Sequence, residues 1–414
     1  MKLIYSKQLQ HLIVSYDVTE VENPESPFTS STTSYLEFVH PDTHQTVIRP
    51  DSTDNARPWR PQSDRGETVS CISDWSFKRD GDLYQLIAVG TTFPTVDHKL
   101  DLGGRLVLLK VWQDKSDPSR IECKVVHKQM LADPVRAIAA YGDSLLVSSG
   151  RWLLPFSSKD ATMRWALRAP YQFPSPVIAI TVHQNLVIVT TSRHSWAVLE
   201  IVHQDKPYEQ GGSGAFLALR GSAQLHRDGL AHMVSVLPYH QPNPIAFVSE
   251  RGGAVGVAQF DQLTEEFSIF PETHVQDSIL RFVSDPTRKT GIYGFALNGA
   301  IYRFYLPAEN ESPLLQFLQN LCYKNEALYP SRPRRLRRIN PMTFEDGCHI
   351  DGDILSHLAR RGPDFLRHLM GTLNVSKSYD LLETRYRQLA LRAIGSYAAE
   401  DVIGWLRSLV DTVI

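Results

Sequence analysis

Apolar residues in this chain come in paired short runs separated by a turn, and the pair recurs as far as about residue 307. Leu86–Val89 precedes Arg105–Trp112, Leu145–Val147 precedes Trp152–Phe156, and Leu186–Val189 precedes Trp196–Ile201. Ile245–Val248 precedes Ala254–Phe260, and Ile292–Ala296 precedes Ala300–Tyr305. Short apolar runs bounded by turn residues read as buried strands. Several are apolar almost throughout, which suits strands covered on both faces. A hairpin recurring every roughly 40 to 60 residues predicts four-stranded propeller blades with loops of differing length. Counting flanking strands gives roughly twenty-four, enough for six or seven blades.

Turn chemistry supports the pairing. Gly142-Asp143 and Gly150-Arg151 bracket the strand Leu145–Ser148, and Gly252-Gly253 turns a later hairpin. Asn298-Gly299 is a strong two-residue hairpin signal, because both residues tolerate positive φ. Nearer the N-terminus, Leu3–Tyr5 and Leu12–Val18 read as strands, as do Tyr35–Val39 and Thr46–Ile48. Residues 22–34 are rich in Pro, Ser and Thr and read as a loop. Residues 50–66 carry three prolines and read as a long exposed loop.

After Pro307 the period changes from two to that of a helix. Leu314, Leu315, Leu318 and Leu321 share one helical face. Asp351–Arg360 predicts a short helix stopped by Gly362, and Pro363 starts the next, lined by Leu366, Leu369, Met370 and Leu373. Ser378 caps a predicted helix with Leu382, Tyr386, Leu389 and Ala393 on its stripe. A last helix carries Val402, Leu406, Leu409, Val410 and Val413. The expected fold is therefore mainly β with a C-terminal α-helical domain. Residues 1–307 form a six- or seven-bladed β-propeller whose closure the sequence leaves open. Residues 308–414 form a small helical bundle.

Composition is that of a globular chain: 42% hydrophobic and 21% charged residues over 414 positions. The net charge of −2 supplies no global basic field for nucleic acid. Cys71, Cys123, Cys322 and Cys348 are scattered without metal-knuckle spacing, which favours free thiols in a reducing compartment. Met1-Lys-Leu-Ile-Tyr5 lacks the apolar core of a signal peptide, and no apolar stretch reaches the ~20 residues that span a bilayer. Asn310 and Asn374 head glycosylation-type triplets that, without a secretion signal, read as chance.

No catalytic, cofactor-binding or metal-ligating constellation emerges. Gly211-Gly-Ser-Gly214 lacks the Gly-x-Ser-x-Gly order of a nucleophile elbow and the lysine of a phosphate loop, so it reads as an inter-strand loop. Cys348-His349 beside Asp351 and Asp353 lacks the remaining ligand of a metal site. The two carboxylates suit a helix start instead. The densest charge cluster is Arg332, Arg334, Arg335, Arg337 and Arg338. It reads as a localisation signal, a phosphate-contacting patch or a solvated linker. Aromatic residues that would stack bases are absent nearby.

These features together resemble the C-terminal region of the triple-propeller, CPSF A-type family. That family contains the large subunits of the UV-damaged DNA-binding complex and of the cleavage and polyadenylation specificity factor, with a related splicing-factor subunit. His349-Ile-Asp-Gly-Asp-Ile-Leu-Ser-His-Leu358 is similar to the family's (V/I)DGDL segment, placing Asp351, Gly352 and Asp353 on its motif. Leu86–Phe93 followed by Gly104–Leu109 is similar to its VGT…GRI hairpin. Arg136–Val147, the stretch from His274 to Phe282 and Gly294–Ile301 resemble further blade segments. Family members are much longer, with two more propellers upstream, and their final propeller is closed by a strand from the far N-terminus. Here that strand must come from elsewhere or be missing.

The resemblance implies a non-enzymatic nuclear scaffold, present also in the cytoplasm, that grips partner proteins through propeller loops. Implied partners are cullin-ligase components and substrate receptors, in DNA repair, or RNA-processing subunits; no membrane is implied. His274 and Asp277 are candidates for the partner surface. Two alternatives stay open: direct nucleic-acid binding, and a degenerate or truncated paralogue without independent activity.

Overall fold

The structure, a computed structural model, describes residues 2–7, 9–21, 30–44, 46–47, 59–61, 66–79, 81–93, 103–113, 121–158, 165–167, 170–194, 196–203, 215–223, 231–236, 245–261, 263–264, 266–269, 273–275, 277–285, 291–308, 311–323, 325, 349–372 and 398–410. Among these residues the chain is mostly β, with six antiparallel sheets in a propeller-like arrangement and four helices.

In every sheet the strands pair in chain order. The first sheet holds β1 (Lys2–Ser6), β2 (His11–Val21), β3 (Ser30–Val39) and β4 (Thr46–Val47). The second holds β5 (Thr68–Arg79), β6 (Asp82–Thr92), β7 (Gly104–Gln113) and β8 (Ile121–Leu131). The third holds β9 (Ile138–Tyr141), β10 (Ser144–Ser149), β11 (Trp152–Ser158) and β12 (Trp165–Leu167), with β13 (Tyr171–Gln172) also on β11. The fourth holds β14 (Val177–His183), β15 (Leu186–Thr191), β16 (Trp196–His203) and β17 (Ala215–Ala223). The fifth holds β18 (Ala231–Val236), β19 (Ile245–Glu250), β20 (Ala254–Asp261) and β21 (Glu266–Ile269), with β22 (Thr273–His274) also on β20. The sixth holds β23 (Ile279–Ser284), β24 (Gly291–Ala296) and β25 (Ile301–Tyr305).

The first strands of successive sheets are neighbours: β1 with β5, β5 with β9, β9 with β14, and β14 with β18. On β23, Arg281 donates through Nη1 to the Leu3 carbonyl of β1 at 2.6 Å, linking the sixth sheet to the first.

The continuous apolar runs are explained by cores on both sides of a sheet. On β6, Ile87 and Val89 enter the core shared with the first sheet, whereas Leu86 and Ala88 enter the core shared with the third. β15 divides the same way: Val187 and Val189 pack toward the third sheet, Leu186 and Ile188 toward the fifth. Phe247 and Phe282 meet at 6.2 Å between the fifth and sixth sheets. A strand with one wet face would alternate apolar and polar; these strands have no wet face.

Three local expectations change. Residues 30–34 are strand, paired with Asp17–Val21, and their hydroxyls contribute: Thr19 and Thr32 share a hydrogen bond of 3.2 Å. Within the stretch expected to be an exposed loop, Trp59 is 6% exposed and bridges to Leu36. An indole this large gains more from the core than the surrounding prolines cost. The turn at Asn298-Gly299 has three loop residues. Ala296 N donates to Ala300 O, Gly299 N donates to Ala296 O, and Gly299 takes φ +85° while Asn298 stays at negative φ. Asn298 Oδ1 instead accepts from Ala300 N at 2.9 Å.

The chain divides into two compact units. One comprises residues 1–269, 274–283 and 293–302; the other comprises 270–273, 284–292 and 303–414. In the second unit, α1 (Ser312–Tyr323), α2 (Gly352–Arg361), α3 (Pro363–Thr372) and α4 (Ala399–Val410) share one core. Leu318, Cys322, Ile354, Leu358, Leu366, Ile403 and Leu406 fill it, the predicted stripes facing one another. Arg303 ion-pairs with Asp285 at 2.5 Å and donates to the Leu409 carbonyl at 3.1 Å. The helix expected after Ser378 lies outside the described residues.

Candidate partner-binding rim

Chain-order antiparallel sheets place equivalent turns at equivalent ends. The turns joining the second and third strands of each sheet therefore share one end of the first unit with the connections between sheets. Arg151 occupies the β10–β11 turn, Arg193 the β15–β16 turn and Arg251 the β19–β20 turn. Arg136 lies on the connection entering β9. All four are exposed.

Their backbones are held. Ser148, fully buried, accepts from Arg136 N at 3.0 Å and Ala137 N at 2.8 Å. Buried Ser175 accepts from Arg193 N at 3.3 Å. The Arg151 carbonyl accepts from Phe173 N at 2.8 Å, and the Arg251 carbonyl accepts from Ser278 Oγ. Gly253, which closes the Arg251 turn, has φ +87°, and a Cβ there would lie 2.5 Å from the Val275 carbonyl oxygen. Only glycine fits that turn without strain.

Among the described turns and inter-sheet connections at this end, the carboxylates are withdrawn. Glu67 and Glu250 are buried, and Asp133 and Asp277 are half-buried. Glu67 is committed to Arg105 and to the Thr91 hydroxyl, which donates to it at 2.5 Å. At the opposite end the turns expose Asp82, Asp143 and Glu266, with Lys78 nearby. Among the described residues the turn arginines thus stand exposed at one end, whereas the opposite end exposes both signs, Lys7 included.

The residues singled out from the sequence lie in three places. His274 is exposed on β22, and Asp277 follows in the connection to β23, its Oδ1 accepting from Ser278 N at 2.7 Å. Both belong to the arginine-bearing end. Asp351, Gly352 and Asp353 lie in the helical unit. There Asp351 is the N-cap of α2, accepting from Asp353 N at 3.1 Å and Ile354 N at 3.4 Å. Its own N–H donates to Gln319 Oε1 at 2.5 Å, fixing α2 on α1. Arg332, Arg334, Arg335, Arg337 and Arg338 lie outside the described residues. The rim arginines themselves escape a reading based on local clusters. They are about 15 to 58 residues apart in sequence and share only adjacency to a turn or inter-sheet connection.

Among the described residues no group of three or more His, Cys, Asp or Glu side chains could hold a metal ion. Three free cysteines occur among them, and burial pushes the Cys71 and Cys322 thiols up to about 12. No described helix is long and apolar enough to cross a membrane.

No curated protein matches the chain. Residues 62–208 match the family model of the CPSF A subunit region. The matched stretch runs from just before the second sheet to just beyond β16 of the fourth, and it includes Arg136, Arg151 and Arg193. Over residues 62–208 the chain is similar to the CPSF A-type family, and the match supports membership there.

Proposed function

We propose that this chain is a non-enzymatic nuclear scaffold that binds partner proteins through the loops of its propeller-like unit. The carrying observation is the conjunction of the CPSF A subunit region match with a rigid, turn-rich rim that presents free side chains. Loops on a stiff sheet framework are where recognition residues concentrate. The work served is that of assemblies acting on nucleic acid, either DNA repair with a ubiquitin ligase or pre-mRNA processing.

Affinity purification of the tagged full chain from nuclear extract, read by mass spectrometry, tests this reading. Stoichiometric recovery of cullin-ligase subunits assigns it to repair, and recovery of polyadenylation or splicing subunits assigns it to RNA processing. Recovery of neither contradicts the scaffold reading.

A further inference from the structure

We propose that the arginine-bearing end of the first unit docks an acidic, amphipathic segment of a partner protein. This rests on the scaffold reading and specifies the chemistry of the partner. Across successive sheets the surface has a consistent order. Met130 stands at the end of β8 in the second sheet, 60% exposed. Arg136 and Arg151 follow on the third, Arg193 on the fourth and Arg251 on the fifth. Leu297, 65% exposed, stands in the β24–β25 turn of the sixth. Four guanidiniums are therefore flanked by two exposed aliphatic side chains.

Each part has a binding consequence. Among the described residues none of the four arginines has an ion-pair partner, so their charge is available to a ligand. Guanidinium forks pair bidentately with carboxylates. Pinned backbones reduce the ordering entropy lost on binding. Arg and Met are enriched at protein interfaces, where apolar anchors sit beside polar groups. Single-stranded nucleic acid would need exposed aromatic faces for stacking. Among the described residues the most exposed apolar side chains on this end, Met130 and Leu297, are aliphatic, and the one exposed apolar aromatic, Phe295, is only 38% exposed, so a Glu- and Leu-bearing peptide fits better than a run of stacked bases.

The test uses the full chain and a fluorescent helical peptide of Glu, Leu and Ala, read by anisotropy, against a Lys-for-Glu counterpart and oligothymidine. The acidic peptide is expected to bind, weakening as salt rises. Combined Arg136→Glu, Arg151→Glu, Arg193→Glu and Arg251→Glu should weaken it at least about tenfold. The unfolding midpoint should stay unchanged, and four Arg→Gln changes should give the same direction. Equal binding by wild type and variant, or preference for either control probe, would overturn the proposal. In the nuclear-extract experiment, a variant that keeps every wild-type partner defeats this docking mode and leaves the scaffold reading standing. A wild-type chain that recovers no partner defeats the scaffold reading itself.

Discussion

Arg105 Nη2 lies 3.1 Å from Glu67 Oε2, with the two side chains 15% and 1% exposed. The pair ties the entry of β5 to the start of β7, and the guanidinium also lies 5.1 Å over the Phe93 ring. Removing one partner strands a buried charge. Arg105→Met should therefore cost about 3–5 kcal/mol, and adding Glu67→Gln should recover a large part of it. Denaturant midpoints for the two single variants and the double variant measure the coupling directly. Strict additivity would show that the pair is not coupled.

Gly253→Ala meets two obstacles, a positive φ and the Val275 carbonyl oxygen. A loss of at least about 1–2 kcal/mol is expected. Gly252, with nothing within 4 Å of its Cβ position and no positive φ, should accept alanine nearly free of cost. Thermal unfolding of the two variants should separate them.

In the helical unit, Asp351→Ala removes the cap of α2 and should cost about 1 kcal/mol. Asp353→Ala removes only a first-turn charge and should cost a few tenths, about 0.3–1 kcal/mol at most. Equal losses in chemical denaturation would contradict the division of labour between these two carboxylates.

Burial lowers the pKa of His183, whose Nε2 has no hydrogen-bond partner among the described residues. Protonation is then harder in the folded state than in the unfolded chain. The folded state binds fewer protons in that window. Stability is complete above the unfolded histidine value of about 6.5 and declines as pH falls below it toward the lowered folded value. His127 is shifted the same way and for the same reason. Replacing His183 with Gln should flatten the slope of unfolding free energy against pH in that interval. An unchanged slope would show that His183 contributes nothing to it.

Much of this architecture is legible in the sequence, because cores on both faces leave a mark that one-sided sheets do not. The runs Leu86–Val89, Leu145–Val147 and Leu186–Val189 fall within β6, β10 and β15, and each later run of its pair falls within the following strand. The leucine stripe from Leu314 to Leu321 falls within α1. What misleads is composition read without tertiary context. Ser and Thr at residues 30–34 suggest a loop until β2 supplies a ladder. Trp59 sits among prolines and charges, and only its contact with Leu36 shows that it belongs to the core. The rim is least legible of all, since Arg136 and Arg251 become neighbours in charge only once successive sheets align their turns.

The most direct measurement is hydrogen exchange on the full chain, alone and within the assembly recovered from nuclear extract. The predicted result is new protection at 133–136, 149–152, 191–194 and 250–253, with the opposite turns at 81–82 and 142–143 unchanged. Protection confined to those opposite turns, or to the helices α1–α4, would contradict a partner-binding role for the arginine-bearing rim.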